Sequence, residues 1–223
     1  MGQTVELTGL VLGAYAYGDY DKRLVMLTKE RGKITVFAKG ARRPNSSLLA
    51  VCKPFVFGVF TLYEGRSSFN MMNARVSNYF DQLSMDMEGA CFGCYFCEVA
   101  EYYTREANDE LEMLKLLYQS LRALSNPSIP RALVRCIYEL KTLIINGDCP
   151  VDFEKLNVSP SALYTLQFVA ASAVERLYTF TLTTEVLREL EHVMKQYRQR
   201  YMEGTYKSLD VLEALNMQEK KQQ

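Results

Sequence analysis

The sequence predicts a small five-stranded β-barrel joined to an all-α bundle. Three observations carry this. From Val5 to about Val76 the apolar residues come in short runs bounded by turn formers, after Phe80 they recur at three- and four-residue intervals, and the charge divides at the same place. Residues 1–80 hold eleven Lys and Arg against five Asp and Glu, a net of +6, so the remainder carries −6 and the whole chain zero. Zero net charge taken alone argues against nucleic acid, because affinity for phosphate comes largely from Lys and Arg displacing counterions. Divided in this way, it is compatible with a chain that has one anion-binding end.

VELTGLVLG, KRLVMLT, GKITVFA, PFVFGVFTLY and SSFNMMNARV read as the five strands. In the fourth, Phe55, Phe57, Val59, Thr61 and Tyr63 face one side and Val56, Gly58, Phe60 and Leu62 the other, the period-2 pattern of a curved sheet using both faces. Gly58 permits a bulge or bend there. With turn signals at Gly18-Asp19, Arg31-Gly32 and Glu64-Gly65 and a longer connection through 39–54, the arrangement fits an oligonucleotide/oligosaccharide-binding (OB) barrel, with an SH3-like barrel as competitor. Helical spacing then covers 86–106, 109–125, 130–146, 160–178 and 184–203, with stops at Asn126-Pro127, Gly147-Asp148 and Asn157 to Pro160. The expected domains are 1–80, an OB-fold nucleic-acid-binding domain, and 81–223, a helical domain with its own core.

Composition narrows the function classes. At 48% apolar and 23% charged the chain has enough apolar side chain to fold, and no apolar run approaches the ~18 residues that span a bilayer. The start, MGQTVELTGLVLG, lacks the basic and apolar regions of a secretion signal, so a cytoplasmic protein without membrane contact is expected. Cys91, Cys94 and Cys97 sit three apart, which on a helix spreads the sulfurs over about 9 Å and about 120° of arc and makes no tetrahedral cage. Core packing is the expected role. His192 is the only histidine, and no G-x-S-x-G, Walker A, G-x-G-x-x-G or H-E-x-x-H pattern occurs, so nothing nominates an enzyme.

The stretch Lys39-Gly40-Ala41-Arg42-Arg43-Pro44-Asn45-Ser46-Ser47 concentrates three cations beside a glycine that lets backbone approach a ligand. Tyr15, Tyr17, Tyr20, Phe55, Phe57 and Phe69 lie on neighbouring strands, and aromatic platforms beside a cationic groove hold single strands. From the residues alone two readings stand: a phosphate-gripping loop with stacking rings, or a solvated loop above rings that fill the barrel.

The ordered series from Leu10-Val11-Leu12 through Tyr17-Gly18-Asp19-Tyr20-Asp21, Leu27 to Ile34, Ala38 to Arg43, Ser46-Ser47 and Lys53-Pro54-Phe55 resembles the amino-terminal domain of the RecO family of bacterial recombination mediators. Tyr138-Glu139-Leu140, Leu143 to Gly147 and the later Lys207-Ser208-Leu209-Asp210-Val211-Leu212 resemble that family's long helix and carboxy-terminal signature. The chain departs from it where many members carry a zinc module of two Cys-x-x-Cys-like pairs. Here Gly147 to Phe153 keeps only Cys149, too few ligands for a closed site, so no zinc and no other cofactor is expected.

The resemblance implies a non-catalytic DNA repair protein that binds single- and double-stranded DNA, anneals complementary strands and, with RecR, helps load recombinase on DNA covered by single-stranded-DNA-binding protein. Lys39, Arg42 and Arg43 are the first candidates for phosphate contact, with Arg23, Arg31 and Lys33 second because they lie near turns or strand ends. The acidic tail of single-stranded-DNA-binding protein needs an apolar pocket with a cationic rim, for which helix 130–146 offers Arg131, Arg135, Leu140, Lys141 and Ile144. The same apolar residues are what any bundle helix buries. Lys195, Arg198 and Arg200 on helix 184–203 either widen the DNA surface or complement the helix dipole. A competing class is a protein-interaction adaptor whose barrel does not bind DNA; it predicts cations paired with Asp19, Asp21 and Glu30. A carbohydrate-binding barrel would favour a neutral groove over Lys39 to Arg43.

Overall fold

The computed structural model describes residues 2–66, 68–149 and 152–222. Ser67 of the fifth predicted strand, and Pro150 and Val151 of the segment after Gly147, lie outside the described residues. Five strands, β1 (Thr4–Tyr17), β2 (Asp21–Thr28), β3 (Gly32–Ala38), β4 (Phe57–Glu64) and β5 (Phe69–Asn78), close into a barrel in the order β1-β2-β3-β5-β4. All pairings are antiparallel except β3 with β5, where Val36 opposite Phe69 and Phe37 opposite Asn70 run parallel and shut the ring. The long β1 serves two neighbours: its first half pairs with β4 and its second with β2, with a register shift between Val11 and Gly13 that bends it across the barrel.

Strict alternation fills the barrel. Val11, Leu24, Met26, Ile34, Val36, Phe60 and Leu62 point inward, and the connection after β3 closes one end with Leu48, Val51 and Cys52. A register shift falls between Phe57 and Gly58, where the sequence allows a bulge. The fourth strand starts at Phe57, not at Pro54, because Phe55 takes a left-handed conformation (φ 72°) and turns its ring away from the barrel.

Helices α1 (Asp81–Met85), α2 (Met87–Tyr103), α3 (Leu111–Leu124), α4 (Arg131–Ile145), α5 (Pro160–Ala171), α6 (Thr184–Tyr201) and α7 (Lys207–Gln222) follow. Side-chain caps start three of them: Asp86 accepts from Gly89 N, Ser159 from Ala162 N and Thr183 from Val186 N. Two corrections concern the helices. The stretch 160–178 is helical only to Ala171 and then makes a 3₁₀ turn at Val174–Arg176, and α1 and α7 add to the five expected. No helix among the described residues is long and apolar enough to cross a membrane.

The helical core is continuous with one outer face of the barrel. Leu10, Leu12, Val25, Leu27 and Phe55 are buried in the same cluster as Phe92, Phe96, Leu117, Tyr138 and Leu140. These outward positions of β1 and β2 pack on α2 and α3, so the bundle covers one half of that face and leaves the other to solvent.

Candidate nucleic-acid interface

The uncovered half is built by register. Tyr15 on β1 pairs with Arg23 on β2, which pairs with Phe37 on β3, so three outward residues form a row across three strands. Tyr17, two residues along β1, leans on Phe37 with ring centroids 4.9 Å apart. The Arg23 guanidinium lies 5.1 Å from the Tyr15 ring centre and that of Arg43 5.2 Å from Tyr20, both within cation–π range. Tyr15, Tyr17 and Tyr20 are 46%, 53% and 54% exposed, so these faces are open to a ligand.

Two loops are tied together at the end of this row. Gly18 and Gly40 adopt left-handed φ of 56° and 66°, which turns the chain tightly after β1 and after β3. Asp21 accepts a hydrogen bond from Gly40 N at 2.7 Å, Arg42 N donates to the Tyr20 carbonyl at 2.8 Å, and Arg42 Nη1 donates to the Gly18 carbonyl at 3.2 Å. Ala41, fully buried, pins the loop to the barrel and leaves Lys39, Arg42 and Arg43 exposed beside Tyr20. Among the described residues no carboxylate forms an ion pair with Arg23, Lys39, Arg42 or Arg43. The ion pairs within the barrel are Arg31 with Glu64 and Arg75 with Glu6. The carboxylates of Asp21 and Glu30 accept backbone N–H groups instead, from Gly40 and Thr8. Burial, with Glu101 nearby, raises the pKa of the Tyr15 phenol and keeps it neutral.

Not every sequence candidate joins this surface. Arg31 faces Glu64 at 3.6 Å. Lys33 points to α2, where its ammonium donates to the Glu101 carbonyl, and burial lowers its pKa. Phe55, Phe57 and Phe69 are unavailable for stacking: Phe55 and Phe69 are buried, and Phe57 packs 4.5 Å from Tyr118 of α3. Phe37, which the sequence reading does not single out, does belong to the row. Its signal is the alternation in β3, where Ile34, Val36 and Ala38 fill the barrel and Phe37 must therefore face outward.

In the helical half the candidates separate. Arg131 is paired with Asp86 and Glu88, and Arg135 with Glu191 at 3.5 Å and Glu139 at 4.0 Å. Both line a depression of 720 Å³ with Leu83, Phe92, Ile129 and Pro130. Leu140 is buried in the core, Lys141 donates to the carbonyls of Val169, Ala170 and Ser172 and so caps α5, and Ile144 packs on the core. None of these three lines the depression: Leu140 and Ile144 lie about 180° and about 140° around the helix from Arg131, and the Lys141 ammonium is held by the carbonyls at the end of α5. The cysteine stripe packs inward, with Cys97 fully buried and its pKa raised by burial; burial also raises that of Cys149, to about 11. Among the described residues no cluster of three or more His, Cys, Asp or Glu could hold a metal ion.

Comparison with known proteins follows the same division. Residues 1–80 match the family model described as recombination protein O N terminal, and residues 85–151 the one described as recombination protein O C terminal. The chain is 24% identical to the DNA repair protein RecO of Clostridium novyi (strain NT), covering 94% of each. It is 25% identical to the DNA repair protein RecO of Clostridium perfringens, over 93% of this chain and 97% of the relative. To that of Alkaliphilus metalliredigens it is 32% identical over 64% of this chain and 58% of the relative.

Proposed function

The chain belongs to the RecO family, and from that premise we propose that it is a DNA repair protein that mediates recombination by binding single- and double-stranded DNA and annealing complementary strands. With RecR it helps load recombinase on DNA covered by single-stranded-DNA-binding protein, in the cytoplasm at the nucleoid. No bond is made or broken. Residues 1–80 are the DNA-holding domain and 81–223 the partner-facing one.

The observation that carries this reading is the open row of rings and unpaired cations on β1 to β3 and the loop 39–43. OB barrels bind strands on this kind of face, where bases stack on aromatic rings and cations track the backbone. Lys39, Arg43 and Arg23 are the phosphate contacts, and Arg42 both contacts phosphate and fastens the two loops. Arg31 and Lys33 stand at the edge of the surface with their charges partly engaged. By neutralising phosphates of two strands the face lowers their mutual repulsion and lets pairing proceed. The adaptor alternative requires cations paired with Asp19, Asp21 and Glu30, and no such pair occurs among the described residues.

The test is a titration of a fluorescent oligonucleotide at several salt concentrations. Arg42 is a poor position for it because its loss also loosens the loops, so Lys39→Ala with Arg43→Ala is the cleaner variant. Binding should weaken alike for all sequences, and the salt slope should fall by about 0.7 per lost contact, about 1.4 in all. An unchanged slope overturns the assignment.

For the acidic tail of single-stranded-DNA-binding protein, the depression at Arg131 and Arg135 is the docking place in this reading. Arg131→Ala tests it by peptide titration, and affinity equal to wild type dismisses the depression. Arg135→Glu is unsuitable, since it would set a carboxylate beside buried Glu139.

A further inference from the structure

Helix α6 carries cations that the barrel face leaves unused. Arg188, His192, Lys195 and Gln199 recur at i, i+4, i+7 and i+11, which keeps all four within an arc of about 60°. They are exposed, on the side opposite buried Val193 and Tyr197. The row forms one wall of a groove of 1160 Å³, and the chain entering α7, with Gly204, Tyr206 and Asp210, forms the other. Two of the acids lining the groove are engaged: Glu191 pairs with Arg135 and Glu213 with Arg198. Among the described residues Arg188 and Lys195 have no ion pair within 4 Å, Glu185 one turn before Arg188 interacts with it at longer range, and Asp210 is the one lining acid without a pair.

We propose that this groove is a second track for a nucleic-acid phosphate backbone, so that the chain holds one strand on the barrel and another along α6. The inference rests on the barrel being a DNA-binding face. The two cations of the row, Arg188 and Lys195, stand about 10 Å apart along one ridge with His192 and Gln199 as polar neighbours, a spacing that suits successive phosphates of a backbone better than a single anionic terminus. The track is separate from the barrel face, since α6 packs on α4 and α5 while β1 and β2 pack on α2 and α3. Two tracks give annealing a geometry: complementary strands are screened from each other's charge while each is held.

The experiment uses the full chain with Arg188→Gln and Lys195→Gln, both on a solvent-facing ridge, and an oligonucleotide of about ten nucleotides, within the reach of one site. Wild type should bind two per chain and the variant one. Lost contacts at two positions should lower the salt slope of the second event by about 1.4, or about 25-fold in affinity at 0.1 M salt against a 1 M reference. Annealing of complementary strands should slow at least fivefold. One oligonucleotide per wild-type chain, or wild-type annealing by the variant, overturns the second track and leaves the barrel reading standing. If Lys39→Ala with Arg43→Ala leaves both events intact, the barrel reading itself falls. Loss of acidic-peptide binding with unchanged annealing would overturn the proposal and assign the groove to a protein partner.

Discussion

Replacing Glu139 by leucine should lower stability by about 3–5 kcal/mol, the usual cost of removing one partner from a buried ion pair. Its carboxylate is fully buried, accepts from the Tyr95 hydroxyl at 2.7 Å and from Arg198 Nη1 at 2.9 and 3.2 Å, and lies 4.0 Å from Arg135 Nε. The Arg198 and Arg135 side chains are only 11% and 12% exposed. Without the acid they keep only Glu213 at 3.6 Å and Glu191 at 3.5 Å, both nearer solvent. Hydrogen bonds to a charged group contribute about 1.5–3 kcal/mol each, so losing those from Tyr95 and Arg198 gives the same order. Urea denaturation followed by circular dichroism measures the loss directly, and for a chain of this length Tm should drop by roughly 6–20 °C. Glu139→Gln, which keeps a hydrogen-bond acceptor for Tyr95, should lose less, and leucine at both Glu139 and Arg198 should recover part of the loss. A Glu139→Leu protein within about 0.5 kcal/mol of wild type would refute the argument that this network of α2, α4, α6 and α7 needs its central charge.

Further outcomes follow from the same geometry. Tyr17→Ala and Tyr20→Ala should each weaken single-strand binding by about 1–3 kcal/mol while leaving the salt slope unchanged; an altered slope would mean that the rings act through the cations rather than by stacking. Gly93→Ala places a methyl 2.9 Å from the Phe55 ring at the junction of barrel and bundle and should cost about 1–3 kcal/mol; a neutral result in thermal melts would show that Phe55 can move aside. Stability should decline from about pH 9 upward. Burial raises the pKa of Cys52 and Cys149 to about 11 and of Tyr103 and Tyr197 to about 12, so the folded state keeps protons that the unfolded chain releases near 9 and 10. Urea midpoints between pH 8 and 11 check this, and a midpoint that rises across that interval would contradict it.

The five strands and the helical remainder were legible because both periods are local: Ile34, Val36 and Ala38 alternate with Lys33, Thr35 and Phe37, and the helices repeat at three and four. Phe55 continues the strand pattern in sequence but leaves the strand in the fold, because nothing local announces its left-handed turn, which is stabilised by its place between Val11 and Gly93. Helix 130–146 was legible as a helix, yet its candidate pocket was spread over opposite faces. Arg131 and Arg135 look alike in sequence to any surface pair, and only packing shows their carboxylates, Asp86 and Glu88 for one and Glu139 and Glu191 for the other.

The barrel-plus-helices order, the charge division between +6 and −6, and the loop from Lys39 to Arg43 are readable along the chain, because composition and period need no knowledge of distant partners. Tertiary structure alone decided which cations remain available. Arg31 and Lys33 sit as near to turns as Arg23, but Glu64 and the Glu101 carbonyl reach them from other elements, while Arg23 is left among rings. A charge is neutralised by whatever lies within a few ångströms of it, and in a folded chain those neighbours are set by strand register and helix packing, not by position along the sequence.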